Sequence, residues 1–195
     1  MWLVIGLGNP GPRYAATRHN VGWRVIEALV RRWQAEPGDA RPAPWRTWRA
    51  TRDDRTVTLM EPLAFMNRSG AALADWIATH AMPQALLVVC DDVYLPLGML
   101  RIRPAGSSGG HNGLASIEEA LGSREWPRLR LGVGAAPDAA GLRDHVLETF
   151  AADEEVVVRE AVERAADAVE CWLERGLTAT MNAFNRRMQP NEEAE

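Results

Sequence analysis

The 195-residue chain has no lysine; all 22 of its basic residues are arginine. That excludes a phosphate loop built on a Walker lysine and Schiff-base chemistry on an ε-amine. Cysteine is nearly absent as well. Cys90 and Cys171 are too few for a disulfide framework and form no metal-binding motif, so a reducing cytoplasm is the expected compartment. Nowhere do about 18 apolar residues run together, and no transmembrane helix is expected. The N-terminus enters the apolar stretch Trp2-Leu3-Val4-Ile5-Gly6-Leu7 directly. It lacks the basic segment and small-residue cleavage site of a secretory signal, so none is expected.

What charge there is lies unevenly. The chain carries −4 overall. Residues 1–135 hold 16 Arg against 12 Asp and Glu, whereas residues 136–195 hold 6 Arg against 14. A net-acidic chain argues weakly against a nucleic-acid partner. Phosphate binding depends on the local patch, however, and the first two-thirds is net positive.

Apolar runs alternate with amphipathic stretches, which predicts an α/β fold in one domain of ordinary size. Strands are expected near 3–7, 45–50, 56–60, 86–89, 99–103 and 128–133. Helices are expected at 21–33, 69–79, 114–121 and 153–173, with a short one at 178–185. Glu36–Pro44 reads as a loop rich in proline, and the residues after Met188 as a frayed acidic tail.

Three islands carry chemistry. The first is Gly6-Leu7-Gly8-Asn9-Pro10-Gly11 with Thr17-Arg18-His19-Asn20. Its glycines suggest a dinucleotide fingerprint only superficially, because Pro10 removes an amide that a phosphate cradle would use. The second is Phe65-Met66-Asn67-Arg68-Ser69-Gly70, and the third is Gly109-Gly110-His111-Asn112-Gly113-Leu114. His19 is a base suited to neutral pH. Asp91-Asp92 follows an apolar strand and supplies a carboxylate to orient it, with the choice between the two open on these grounds. Asn9, Asn67 and Asn112 are donors for a developing oxyanion, or else turn and cap residues. Together they suit a hydrolase that activates water at a carbonyl. No Gly-x-Ser-x-Gly elbow is present, and Cys90 reads as a buried inert thiol. Arg101 and Arg103 alternate on one strand, as do Arg128 and Arg130 on another. If those strands are neighbours, four guanidinium groups form a phosphate patch.

In order and spacing these blocks resemble bacterial-type peptidyl-tRNA hydrolases. The resemblance covers Gly6–Asn20 including Tyr14, Phe65–Gly70, Asp91–Gly98, Gly109–Leu114 and Arg128–Gly134. It implies a single α/β domain over residues 1–188, with a mixed central sheet flanked by helices, and an acidic tail at 189–195. The implied activity is hydrolysis of the ester between a peptide and tRNA by a cytoplasmic monomer without metal or cofactor. His19 would be the general base, Asp91 its orienting carboxylate and Asn9 a catalytic positioner. Tyr14, Met66, Asn67, His111 and Asn112 would bind substrate, and Arg103 and Arg130, with Arg101 and Arg128, the tRNA phosphates. The chain departs from the usual family pattern at four places: Glu61 stands where Lys or Arg is common, Ala64 for Thr or Tyr, Cys90 for His or Tyr, and Tyr94 for a second Asp. A catalytically idle RNA-binding relative is the alternative reading. The segment 134–146, rich in Ala, Gly and Pro, is the expected gate over the cleft.

Overall fold

The computed structural model describes residues 1–39, 42–136 and 141–185. The acidic tail 189–195 lies outside them, as do residues 137–140 of the expected gate. Seven strands form one mixed sheet in the order β2-β3-β4-β1-β5-β7-β6. They are β1 (Trp2–Gly6), β2 (Glu36–Pro37), β3 (Trp45–Arg52), β4 (Arg55–Pro62), β5 (Ala85–Asp92), β6 (Leu100–Arg103) and β7 (Arg128–Gly132). The central four run parallel and the edges antiparallel. Parallel strands must be covered on both faces. Accordingly β1 and β5 are continuous apolar runs, and Leu3, Val4, Ile5, Val88 and Val89 are fully buried.

Helices α1 (Val21–Trp33) and α5 (Ala152–Phe184) cover one face; α2 (Ser69–His80) and α3 (Asn112–Leu121) cover the other. The apolar positions Val21, Val25, Ile26, Leu29 and Trp33 of α1 are all buried, as a 3.6-residue period requires. Arginines on the outer side of α1 grip acidic residues of α5. Arg32 Nη1 donates to Asp167 at 2.6 Å and to Glu170 at 2.9 Å, while its Nη2 donates to Glu163 at 2.8 Å. The acidic C-terminal third thus neutralises arginines of the basic part within the fold.

Three local features differ from the sequence expectation. Glu36–Pro37, expected in a loop, pairs with β3 as a two-residue edge strand. The expected gate contains a short helix, α4 (Leu142–Leu147). The two expected C-terminal helices run on as one, with a break at Gly176, where φ is 80° and ψ 173°. Beyond that break Asn185 reaches the sheet edge. Its Oδ1 accepts from Ile102 N at 2.6 Å, and its Nδ2 donates to Ile102 O at 3.0 Å.

β1 lies between β4 and β5. The chain leaves β1 toward one neighbour and later returns to the other, so a crevice opens at the carboxyl ends of these strands. The start of α1 sits directly over that point. A Cβ on Gly22 would come 2.5 Å from the backbone N and O of Leu7, so only glycine lets the helix approach this closely. The single 3₁₀ turn Arg18–Asn20 just before α1 is thereby held at the end of β1.

Candidate active site

The crevice is a cleft of about 610 Å³. Asn9, Tyr14 and His19 line it from the segment after β1, and Phe65, Met66 and Asn67 from the approach to α2. Asp91, Asp92 and Tyr94 come from the end of β5, His111 and Asn112 from the start of α3, and Arg130 from β7. α4 adds Leu142, Arg143, Val146 and Leu147, so part of the expected gate does border the cleft.

At the bottom of the site His19 Nδ1 lies 2.7 Å from Asp91 Oδ1, and His111 Nε2 lies 2.9 Å from the same oxygen. Asp91 is 2% exposed. The tautomer of His111 follows from its other side, where Nδ1 accepts from the amides of Gly113 and Leu114 at 3.1 and 3.2 Å. Its proton is therefore on Nε2 and points at Asp91. A carboxylate can only accept, so neutral His19 carries its proton on Nδ1. Its Nε2 lone pair makes no hydrogen bond to another described residue. Burial alone would raise the Asp91 pKa; the His19 and His111 rings outweigh it and hold the carboxyl well below the usual range. Burial alone would lower that of His19; the charge and hydrogen bond of Asp91 overcome this and raise it. Of the two adjacent carboxylates, it is Asp91 that reaches His19. Asp92 turns elsewhere.

His19, Asp91 and His111 also bring potential metal-ligand atoms within 4.8 Å of one another. One ring nitrogen of each histidine is already hydrogen-bonded to Asp91, so a cation at those atoms would have to displace ring protons.

Asn9 is fixed from three directions. Its backbone N–H donates to Asn20 Oδ1 at 2.9 Å, and its C=O accepts from Asn20 Nδ2 at 3.0 Å. Its own Oδ1 accepts from Met66 N at 2.8 Å. This last bond sets the amide orientation, leaving Nδ2 as the group available to the cleft. Asn20 is thus a positioning residue that sequence reasoning passed over, although it ends the first island. Met66 is 4% exposed. A Cβ on Gly113 would come 2.5 Å from its Sδ, so this glycine lets α3 pack against Met66.

Asn67 and Asn112 are exposed and cap nothing. Arg68 is the N-cap residue of α2, without a side-chain bond. His111, not Asn112, caps α3 through its ring nitrogen. The cap reading of the third island therefore belongs to His111, which lines the cleft with both ring nitrogens committed to Asp91 and the helix start. Tyr14 meets Phe65 edge-on, with centroids 6.2 Å apart.

The arginine patch is revised at one position. β6 and β7 are neighbours, with Arg101 opposite Arg130 and Arg103 opposite Arg128. Arg128, however, is 1% exposed. Its guanidinium donates to the carbonyls of Gly106, Arg124 and Trp126 and lies 3.8 Å from the centroid of the Trp126 ring. It is a core strut with no free donor facing solvent. Arg130 donates from Nη1 to Asp92 at 3.0 Å and from Nη2 to the carbonyls of Ser107 and Ser108 at 3.2 and 3.0 Å. It thereby holds the glycine-rich loop while remaining part of the cleft. The side chains of Arg101 and Arg103 have no ion pair or hydrogen bond with another described residue.

Arg18 is a second residue that sequence reasoning left without a role. Buried beside His19, it donates from Nη1 to Val133 O at 2.9 Å and from Nη2 to Glu154 at 2.7 Å. Its guanidinium lies 4.7 Å from the Phe150 ring centroid. Arg18 N also donates to Glu148 O at 3.0 Å. The turn carrying His19 is therefore tied to the segment that follows α4.

Among the described residues no serine or cysteine side chain is hydrogen-bonded to His19, and burial pushes the nearby Cys90 thiol up, keeping it protonated. The fold and a cleft that sets a carboxylate-bonded histidine beside an amide donor are those of an α/β hydrolase. The chain belongs to the peptidyl-tRNA hydrolase family, whose model matches residues 3–193. It is 44% identical over 188 residues to the peptidyl-tRNA hydrolase of Syntrophomonas wolfei, covering 95% of this chain and 100% of that one. The corresponding enzyme of Chloroflexus aggregans is 45% identical over 188 residues, with 95% and 99% covered. The crystal structure of peptidyl-tRNA hydrolase from Acinetobacter baumannii superposes with a TM-score of 0.87 at 29% identity, covering 95% and 94% of the two chains. The expected mixed sheet flanked by helices is the fold observed. No helix of the described residues is long and apolar enough to cross a membrane.

Proposed function

We infer that the protein cleaves peptidyl-tRNA at the ester joining the peptide to the terminal ribose, with His19 as general base. The observation that carries this reading is the 2.7 Å contact of His19 Nδ1 with buried Asp91, which leaves Nε2 open to the cleft. Nε2 takes a proton from water as the water oxygen bonds to the ester carbonyl carbon. Asp91 stabilises the imidazolium that results. Asn9 Nδ2 donates to the developing oxyanion or to the attacking water, with Asn67 and Asn112 holding the peptide backbone against it. The carbon–oxygen bond to ribose then breaks, and the leaving oxygen takes the proton back from His19. The products are a peptide acid and free tRNA.

An ester leaves readily, so one general base, worth ~10²–10⁴-fold, and one or two donors, each ~10²–10³-fold, supply the needed rate. A site that accepts any peptide must bind what all substrates share. Amide side chains match the peptide backbone, Tyr14 and Met66 shape the cleft beside them, and Arg101, Arg103 and Arg130 match tRNA phosphates. A cytoplasmic monomer acting in translation, with one catalytic domain over residues 1–188 and no cofactor, completes the proposal.

The test is release of N-acetyl-amino acid from N-acetyl-aminoacyl-tRNA, wild type beside His19→Ala, with chelator present. Turnover by the wild type alone supports a metal-independent hydrolase with His19 essential. Near-normal turnover by the variant would sink the base role. tRNA binding without wild-type turnover would make the chain an idle RNA binder.

A further inference from the structure

We propose that Tyr94 is a stacking platform for a nucleobase in the single-stranded 3′ end of the tRNA substrate, an assignment that rests on the hydrolase reading above. Tyr94 is 70% exposed yet lines the same cleft as His19. It has no side-chain hydrogen bond or ring partner among the described residues. An exposed tyrosine on a loose loop would mean little, but this one is held in place. Its backbone N–H donates to Asp92 Oδ1 at 2.8 Å. The Asp92 carbonyl in turn accepts from Val133 N at 3.1 Å, which anchors the turn to the sheet. The ring is thus presented by a fixed backbone, and stacking on it costs little ordering entropy.

The same carboxylate specifies what kind of ring would stack. Asp92 Oδ2 holds Arg130 Nη1 at 3.0 Å, so one side chain ties the backbone that carries a free π-face to a guanidinium of the same cleft. A nucleotide carries a flat base and an anionic phosphate in one unit; an aromatic peptide side chain carries no such anion. The asparagines of the cleft match the peptide backbone, and the other exposed aromatic of the cleft, Phe65, already packs with Tyr14. In a chain without lysine and with net charge −4, an uncharged aromatic face adds sequence-tolerant affinity for single-stranded nucleic acid.

The experiment uses an uncharged RNA hairpin ending in single-stranded CCA, and the same hairpin with those three positions abasic. Both are titrated calorimetrically into wild type, Tyr94→Phe and Tyr94→Ala. Tyr94→Ala is expected to weaken the intact hairpin about 5- to 100-fold, Tyr94→Phe to match wild type, and all three proteins to bind the abasic hairpin alike. On N-acetyl-aminoacyl-tRNA the loss should fall on KM rather than kcat. Equal binding of the intact hairpin by wild type and Tyr94→Ala would overturn the proposal, as would no saturable binding by any of them, or a penalty that persists on the abasic RNA. A penalty that tracks the acyl group, seen by comparing N-acetyl-alanyl with N-acetyl-phenylalanyl esters, would reassign Tyr94 to the peptide. Binding of an uncharged RNA needs no turnover, so failure of the hydrolase reading is seen separately.

Discussion

The two imidazoles that share Asp91 Oδ1 compete for one lone-pair region, and this makes the site testable by pH. The wild-type acid limb of kcat/KM should lie above 6.5, the ordinary histidine value, because Asp91 raises His19. Removing the competitor in His111→Ala frees Asp91 for His19 and should shift the limb further up. It also removes the α3 cap, at a cost of about 1 kcal/mol in thermal or urea unfolding. Asp91→Asn should act in the opposite sense. With its counter-charge gone, burial dominates and the limb moves down, while loss of the correct tautomer lowers kcat by ~10⁴-fold. A pH–rate series over the three proteins checks all of this; unchanged limbs in both variants would show that the rings do not communicate through Asp91. The residue types of the site were legible in the sequence because a base, a carboxylate and donors are rare together next to glycine. Their pairing was not. Which carboxylate reaches His19, and that Asn20 clamps Asn9, are fixed by contacts between residues 72 and 11 positions apart, which no local pattern encodes.

At the scale of elements, β4 carries a buried charge into the loop that presents Met66. Glu61 is fully buried, and its Oε2 accepts from Arg46 on the neighbouring strand β3. Burial pushes its pKa up to about 7 against an ordinary 4.5, although Arg46 pulls it down. The unfolded chain loses this proton first, so stability due to Glu61 falls as pH rises from about 4.5 through 7. Glu61→Gln should therefore gain about 1–3 kcal/mol relative to wild type at pH 8 and little at pH 5, read by urea unfolding at both pH values. An equal difference at the two pH values would mean that Glu61 stays ionised throughout. Long elements were plain in the sequence, since an apolar run such as Leu86–Val89 or the spaced apolar face of α1 cannot be hidden. The short ones were not. β2 contributes only two residues and contains Pro37, and α4 spans six residues behind a Gly, Ala and Pro-rich lead, so packing rather than propensity forms them.

For the whole molecule, the separation of charge has been turned inward. Acidic α5 neutralises arginines of α1, leaving the side chains of Arg101 and Arg103 on the sheet edge without hydrogen-bond or ion-pair partners among the described residues. KM for the tRNA ester should rise with salt, and Arg101→Ala or Arg103→Ala should raise KM and lower the slope of log KM against log salt by about 0.7–0.9 per lost phosphate contact. Arg128→Ala should leave that slope alone and instead destabilise the fold by several kcal/mol, since it strips a buried guanidinium from three carbonyls. A slope change at Arg128 would return it to the phosphate patch. Net charge concealed this arrangement, because a sum over the chain cannot tell which charges cancel inside. β6 is an outermost strand, and an open edge invites another strand to add to it. Asn185 occupies the outward N–H and C=O of Ile102 with its own amide, acting as a one-residue stopper. Replacing it by alanine unplugs the edge, and the variant should self-associate with rising concentration in sedimentation or light scattering while the wild type at the same concentrations does not.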